Sequence, residues 1–176
     1  IREKEKKFKN AKKLLESGEL KKYEYSDGRY CIVSPGSIKD IYEEGIVLKH
    51  CIHTCDIYFQ RMDIRETYLL FLRRTEKPDV PWYTLEIEPG GNIRQKKSVL
   101  NEAYKDLDDA MPFLKKWQQW VKKNLSAKDK KLAEKSDKAR KDGYKQLREE
   151  KKLIWHGRLQ GTLLADALEN DFMEVV

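Results

Sequence analysis

Thr67-Tyr68-Leu69-Leu70-Phe71-Leu72, followed by Trp82-Tyr83-Thr84-Leu85-Glu86-Ile87-Glu88, is the stretch that decides the fold. The first run is too continuously apolar for a half-exposed strand and predicts one central in a sheet. The second alternates, with Tyr83, Leu85 and Ile87 on one face and Thr84, Glu86 and Glu88 on the other. Pro78 and Pro81 bracket the loop between them, and Pro89-Gly90-Gly91-Asn92 turns the chain into a partner strand over 93–99.

Upstream, Tyr23 and Tyr25, then Asp27-Gly28, then Tyr30, Ile32 and Val33 read as a hairpin whose turn wants positive φ. Before it, residues 2–17 form a lysine-rich helix with Phe8, Ala11, Leu14 and Leu15 on a narrow apolar stripe, stopped by Gly18. Ser34-Pro35-Gly36-Ser37 starts another helix, with Pro in the first turn and Ser37 facing Asp40 as a capping box. Ile38, Ile41 and Tyr42 are its buried face, and Gly45 is its expected end. A short helix follows over 54–65.

Downstream, Leu107, Met111, Leu114, Trp117 and Val121 predict a helix over 107–124, with Pro112 tolerated near its first turn. After Ser126 the composition turns to Lys, Asp, Glu and Ala, and a long helix reaches residue 150 with few apolar anchors. Such a helix is marginal alone, so it must dock, pair or bind. Leu159, Leu163, Leu164, Ala167 and Leu168 then give a final amphipathic helix.

The expected architecture is α+β: a small, mainly antiparallel sheet packed by helices, extended by a charged helical C-terminal arm. It divides into a basic N-terminal helix (1–22), an α+β domain (23–125), and the arm with its terminal helix (126–176). Charged residues make up 38% of the chain, yet four Trp and nine Tyr exclude a disordered polyelectrolyte. A net charge of +7 favours anionic partners, although acidic residues interleave with the basic ones almost everywhere. No apolar run approaches the roughly 20 residues needed to cross a bilayer. Three cysteines and a charged first stretch, Ile1-Arg2-Glu3-Lys4, imply free thiols in a reducing cytoplasm. The missing initiator Met leads to the expectation of a piece of something longer.

Leu48-Lys49-His50-Cys51, Tyr58-Phe59-Gln60-Arg61-Met62, residues 66–73, Pro81-Trp82-Tyr83-Thr84-Leu85-Glu86-Ile87 and Ile93-Arg94-Gln95 occur in an order and spacing that resembles the PcfJ-like family. The resemblance covers about residues 23–125. It implies an origin on conjugative plasmids, integrative elements or phages. It also implies an accessory role beside the relaxase and its DNA-processing complex. Two positions depart from the family pattern: Arg65 stands where a Gly is usual, and the stretch from Cys51 to Tyr58 is one residue longer.

Several constellations carry candidate chemistry. His50, Cys51, His53 and Cys55 invite a metal, but structural zinc normally uses two well-separated ligand pairs. The expectation is therefore no metal and no cofactor. Cys51 before a helix could be an activated thiol. His50 is badly placed as its own neighbour's base, and a core cysteine is the competing role. Glu86, beside Thr84 and across from Gln95, could join Arg73 on one polar sheet face that reads a ligand. The competing role is a solvated face with a cross-strand ion pair. The candidate catalytic residues are thus His50, Cys51, Glu86 and Gln95, and the candidate ligand-binding residues Arg73, Glu86 and Gln95.

For nucleic acid, the candidates are Arg94, Lys96, Lys97, Lys115, Lys116, Lys122 and Lys123, with Trp117, Trp120 and Tyr104 near that charge. No sequence-reading motif is present, so such binding would be to the backbone and salt-dependent. Three functions remain open. The first is an accessory module engaging nucleic acid or a nucleoprotein partner. The second is an enzyme acting on nucleic acid or nucleotide through Cys51, Glu86 and Gln95. The third is a protein-binding regulator docking through residues 126–176.

Overall fold

The computed structural model describes residues 1–176 and contains an antiparallel sheet of five strands in the order β1-β2-β3-β4-β5. The strands are β1 (Tyr25–Ser26), β2 (Tyr30–Val33), β3 (Tyr68–Arg74), β4 (Tyr83–Ile87) and β5 (Ile93–Lys97). The apolar run is central, as its composition requires. The helices are α1 (Arg2–Lys7), α2 (Lys9–Glu16), α3 (Ile38–Leu48), α4 (Asp56–Asp63), α5 (Met111–Lys123), α6 (Ala127–Glu149) and α7 (Leu164–Asp171).

Register assigns the faces. Leu72 pairs with Tyr83, Leu70 with Leu85 and Tyr68 with Ile87, which makes the centre of one face apolar or aromatic, with Lys96 and Arg74 at its margins. Packed over it, Phe113 of α5 meets Tyr30, Tyr23 meets Tyr68, and the Trp117 indole donates to the Tyr23 carbonyl at 2.8 Å. On the other face, Leu69 pairs with Glu86, Phe71 with Thr84, and Glu86 with Gln95. Here α3 and α4 lie across the strands: Glu44 reaches Arg73, Tyr58 reaches Gln95 and Arg61 reaches Glu86. Behind α4, α2 closes the stack through Phe8 on Phe59 and the Ala11 amide donating to Asp63.

The face that the sequence left as either a ligand-reading surface or a solvated one is therefore buried. Thr84, Glu86 and Glu88 are each at most 1% exposed. Strict alternation usually marks water on one side, but helices bearing their own cations cover this side instead.

Local differences have local causes. The first helix breaks at Phe8, whose φ of −117° and ψ of 65° lie outside the helical region, and the ring turns inward. Pro35 precedes rather than enters α3, whose cap is the Ser37 hydroxyl accepting from the Asp40 amide at 3.2 Å. Nor does Gly45 end α3. The helix runs to Leu48 and stops at Lys49, with φ 54°. Gly45 is required mid-helix because the His53 ring lies against it: a Cβ there would sit 1.9 Å from Nδ1. Arg65 adopts φ 61°, so the tight turn is kept without Gly, and its guanidinium is held by Glu19. The final helix begins only at Leu164. Leu159 and Leu163 lie in the turn before it.

The charged helix α6 docks without an apolar stripe. Ser136, fully buried, donates its hydroxyl to the Glu66 carbonyl at 2.6 Å, and Asp129 pairs with Lys22 at 3.0 Å. Beyond α7, Met173 exchanges backbone hydrogen bonds with Ile93 at 2.8 and 2.9 Å, and the Val175 amide donates to Asn92. The C-terminus thus covers part of β5, an edge that would otherwise present unpaired backbone groups.

Gly45→Ala should lower stability by about 1–2 kcal/mol, although alanine ordinarily favours a helix. His53→Ala in the same chain should relieve the loss. Denaturant midpoints of the two variants check this, and a gain in the single variant would refute the contact.

Candidate functional site

The second sheet face carries the candidates Glu86 and Gln95, brought together by strand register. Glu86 is fully buried and its two oxygens are saturated. Arg61 Nη1 donates at 2.9 and 3.2 Å, Thr67 Oγ1 at 2.7 Å and Gln95 Nε2 at 3.0 Å. Gln95 in turn accepts from the Tyr58 hydroxyl at 3.2 Å. Burial beside Glu86 pushes the Tyr58 hydroxyl well above the ordinary tyrosine range, so it stays a donor.

The pairing extends along the sheet. Arg61 Nε lies 3.7 Å from Glu66, and Glu66 accepts from Arg94 Nη1 at 2.7 Å. Arg94 Nε donates to Glu88 at 2.7 Å, and Glu88 accepts from Arg140 Nη1 at 2.5 and 2.6 Å. Arg140 also binds Asp137 and stacks 4.0 Å over the Phe172 ring. Three arginines and four carboxylates thus form one chain from α4 through β5 to α6. Sequence reasoning missed Arg61, Arg140, Glu66 and Glu88 as partners of this face. One signal was available: Arg140 is the sole arginine between residues 127 and 147, in a run otherwise cationic through lysine. Planar bidentate pairing is what arginine supplies and lysine does not.

Arg73 does not join Glu86. It sits four residues along β3 from Leu69, the partner of Glu86, about 13 Å away at strand rise. Its guanidinium is spent on Glu44, bidentate at 2.5 Å to each oxygen, and on the Pro78 carbonyl at 3.2 Å.

His50 is 3% exposed, with Nε2 2.8 Å from Thr84 Oγ1 and Nδ1 unpartnered. Burial pushes its pKa down to about 4. Cys51 is exposed, outside the helix and ahead of a short 3₁₀ turn, Ile52–Thr54. Cys55 is the N-cap of α4, so the two thiols do not share a helix face. Burial, with Cys51 alongside, raises the Cys55 thiol above its usual range. His50, Cys51, His53 and Cys55 are not gathered into a set of three or more ligands around one point. Two surface clefts, one along Gly28–Tyr30 and Arg74–Glu76, the other between α2 and Arg65, include neither Glu86 nor His50.

The nucleic-acid candidates divide sharply. Arg94 and Lys96 are buried and engaged internally, Lys96 with Asp171 at 3.2 Å. They present no cationic surface, which corrects the reading of 94–97 as an open basic stretch. Lys97 is half-covered and lies 3.6 Å from the same aspartate. In contrast, Lys115, Lys116, Lys122 and Lys123 are all exposed on α5 and none has an ion-pair partner. Trp117 is core; Trp120 is half-buried against Tyr25 at 5.0 Å; Tyr104 is exposed.

With the geometry in place, comparison with known proteins decides the family. A family model described as PcfJ-like protein matches residues 1–111, well over half of the chain. The chain belongs to the PcfJ-like family. No curated protein and no solved structure matches it. The PcfJ-like match takes in α1 to α4 and the whole sheet, and ends at Met111, the first residue of α5. It therefore contains Glu86, Gln95, Arg61, Glu66, Arg94 and Glu88, but not Arg140, which reaches Glu88 from α6. No helix is long and apolar enough to cross a membrane.

His50 gives this face a pH signature. Its folded pKa lies below the unfolded value of 6.5, so the unfolded chain takes the proton first. Stability should be full above pH 6.5, fall as pH drops through that window, and level off below about pH 4, losing up to about 3 kcal/mol. In His50→Gln this component should be missing from urea-unfolding curves taken across the same range. Identical slopes in both proteins would contradict the burial of a neutral His50.

Proposed function

We propose that this chain is a non-catalytic accessory module of a plasmid, integrative element or phage protein that engages nucleic acid, or a nucleoprotein partner, through its exposed lysines. The observation that carries the reading is the unpaired quartet Lys115, Lys116, Lys122 and Lys123. They stand at i, i+1, i+7 and i+8, within about 120° of one another around the α5 axis at 100° per residue. The opposite side of the same helix is core, through Leu114, Trp117 and Val121. A rigid helix backed by the core therefore holds four free ammonium groups in one stripe. Lys128, Lys130 and Lys131, also exposed and unpaired, continue the charge across the corner into α6. The family resemblance supplies the setting of a mobile element.

The chemistry of the sheet face supports the non-catalytic part of this reading. A carboxylate whose lone pairs are all taken is badly suited to moving protons. Glu86 is in that state, and the nearby His50 is buried and neutral at pH 7. Cys51 is exposed, and its thiol partner is Cys55, whose own thiol is raised above its usual range.

A phosphate-tracking surface gives binding that weakens steeply with salt and is indifferent to sequence. Replacing Lys115, Lys116, Lys122 and Lys123 by Ala should lower affinity for DNA or RNA uniformly across sequences. It should also flatten the slope of log K against log salt by roughly one unit per lysine. Anisotropy titrations at two salt concentrations read both. A wild-type chain that fails to bind at about 50 mM salt, or a variant with an unchanged slope, would refute the proposal.

A further inference from the structure

The charged helix α6 and the terminal helix α7 are joined by a structured turn with one unusual property. Its Trp155 is 76% exposed, while the other three tryptophans are buried or half-buried. The exposure does not come from a frayed tail. Ile154 N donates to the Thr162 carbonyl at 3.0 Å, Gly161 N to the Ile154 carbonyl at 2.9 Å, and Leu164 N to the Lys152 carbonyl at 3.0 Å. Leu153 and Leu163 form an antiparallel bridge at its base. Gly157 and Gly161, at φ 89° and 85°, supply the left-handed positions that let the chain reverse in so few residues. The result is a small hairpin-like finger that carries an exposed indole near its tip.

What flanks the indole along the chain narrows the partner. Between Glu150 and Asp166 there is no acidic residue, whereas Lys151, Lys152 and Arg158 all fall there. The two lysines have no ion-pair partner, and Arg158 touches Glu102 only at 3.5 Å while staying 71% exposed. Protein interfaces also favour tryptophan and arginine, but they are depleted in lysine. An exposed aromatic plane flanked along the chain by free ammonium groups has a better match in single-stranded nucleic acid. There bases stack on the ring while neighbouring cations follow the phosphates. A duplex keeps its bases stacked on one another and offers the ring nothing.

We infer that Trp155 is a base-stacking platform for single-stranded nucleic acid, with Lys151, Lys152 and Arg158 as its phosphate contacts. This rests on the nucleic-acid reading above and adds a preference for unpaired strands that the lysines of α5 do not provide.

The test uses the full chain and a fluorescently labelled oligothymidylate of about 16 nucleotides, beside a duplex of equal length. Trp155→Ala should weaken single-strand binding about tenfold and duplex binding far less, while Trp155→Phe should keep most of the affinity. Because the side chain is exposed, the melting temperature should not change. Indole emission of the wild type should be quenched by the oligothymidylate, and that quenching should disappear in Trp155→Ala. Equal single-strand affinity in wild type and Trp155→Ala would overturn the inference, while leaving the α5 lysine surface standing if the lysine variant still loses binding. An equal loss on single strand and duplex would overturn stacking too. So would a self-association that Trp155→Ala abolishes without touching DNA affinity, which would make the finger a protein contact. Absence of binding by the wild type to either probe would take down the inference together with the reading beneath it.

Discussion

Two buried glutamates, one in β4 and one just past its end, set the terms for the rest of this molecule. Moving a carboxylate out of water costs several kcal/mol after relaxation, and Glu86 and Glu88 are at most 1% exposed. Each must be met by cations and donors of good geometry. Arg61 comes from α4, Arg94 from β5 and Arg140 from α6, and Glu66 links the first two. Because these partners belong to different elements, satisfying the charges fixes where the elements lie. The helix α6 is held on the sheet by hydrogen bonds and ion pairs, not by a wide apolar stripe. Its docking lets α7 and the C-terminus reach the edge of β5. On the far face, ordinary hydrophobic packing of Trp117, Phe113 and Leu114 needs no such device.

The same requirement sorts the cations by type. Arginine, planar and able to pair two oxygens at once, fills the buried places: Arg73 with Glu44, Arg94 and Arg140 with Glu88. Lysine, compact and strongly hydrated, is mostly left outside on α5 and the start of α6, buried Lys96 with its Asp171 partner being the exception. A net charge of +7 thus understates how one-sided the distribution is. Charges drawn inward are neutralised locally, and the excess appears on the outer helices and around Trp155, where an anionic polymer could reach it.

Much of the framework was legible in the sequence, and the reasons are specific. The unbroken apolar run at 67–72 named the central strand, and the alternation at 83–87 with the turn at 89–92 gave the β4–β5 hairpin. From these alone Glu86 falls opposite Gln95. Ser37 and Gly18 behaved as local chemistry dictates, one capping α3 and the other in the left-handed region at φ 77°. What stayed hidden depended on contacts distant in sequence. Alternation could not reveal that helices cover the polar face, because a strand carries no local mark of what packs on it. Gly45 looked like a helix end because its true role involves the His53 ring eight residues on. Arg94 and Lys96 looked like surface charge beside Lys97, since nothing nearby in sequence announces Glu88, Glu66 or Asp171 as their partners. Arg73 shared a face with Glu86 but stood too far along the strand to share a site.

The account turns on α6 being held by its buried ion pair with the sheet, and a double-mutant cycle on Glu88 and Arg140 measures that directly. Glu88→Gln, Arg140→Met and the double variant would be unfolded in urea beside the wild type. The predicted coupling between the two positions is about 2–4 kcal/mol, the double variant losing that much less stability than the two single losses added together. A coupling below about 0.5 kcal/mol would mean that the two side chains act independently. The buried charges would then not be what organises the fold.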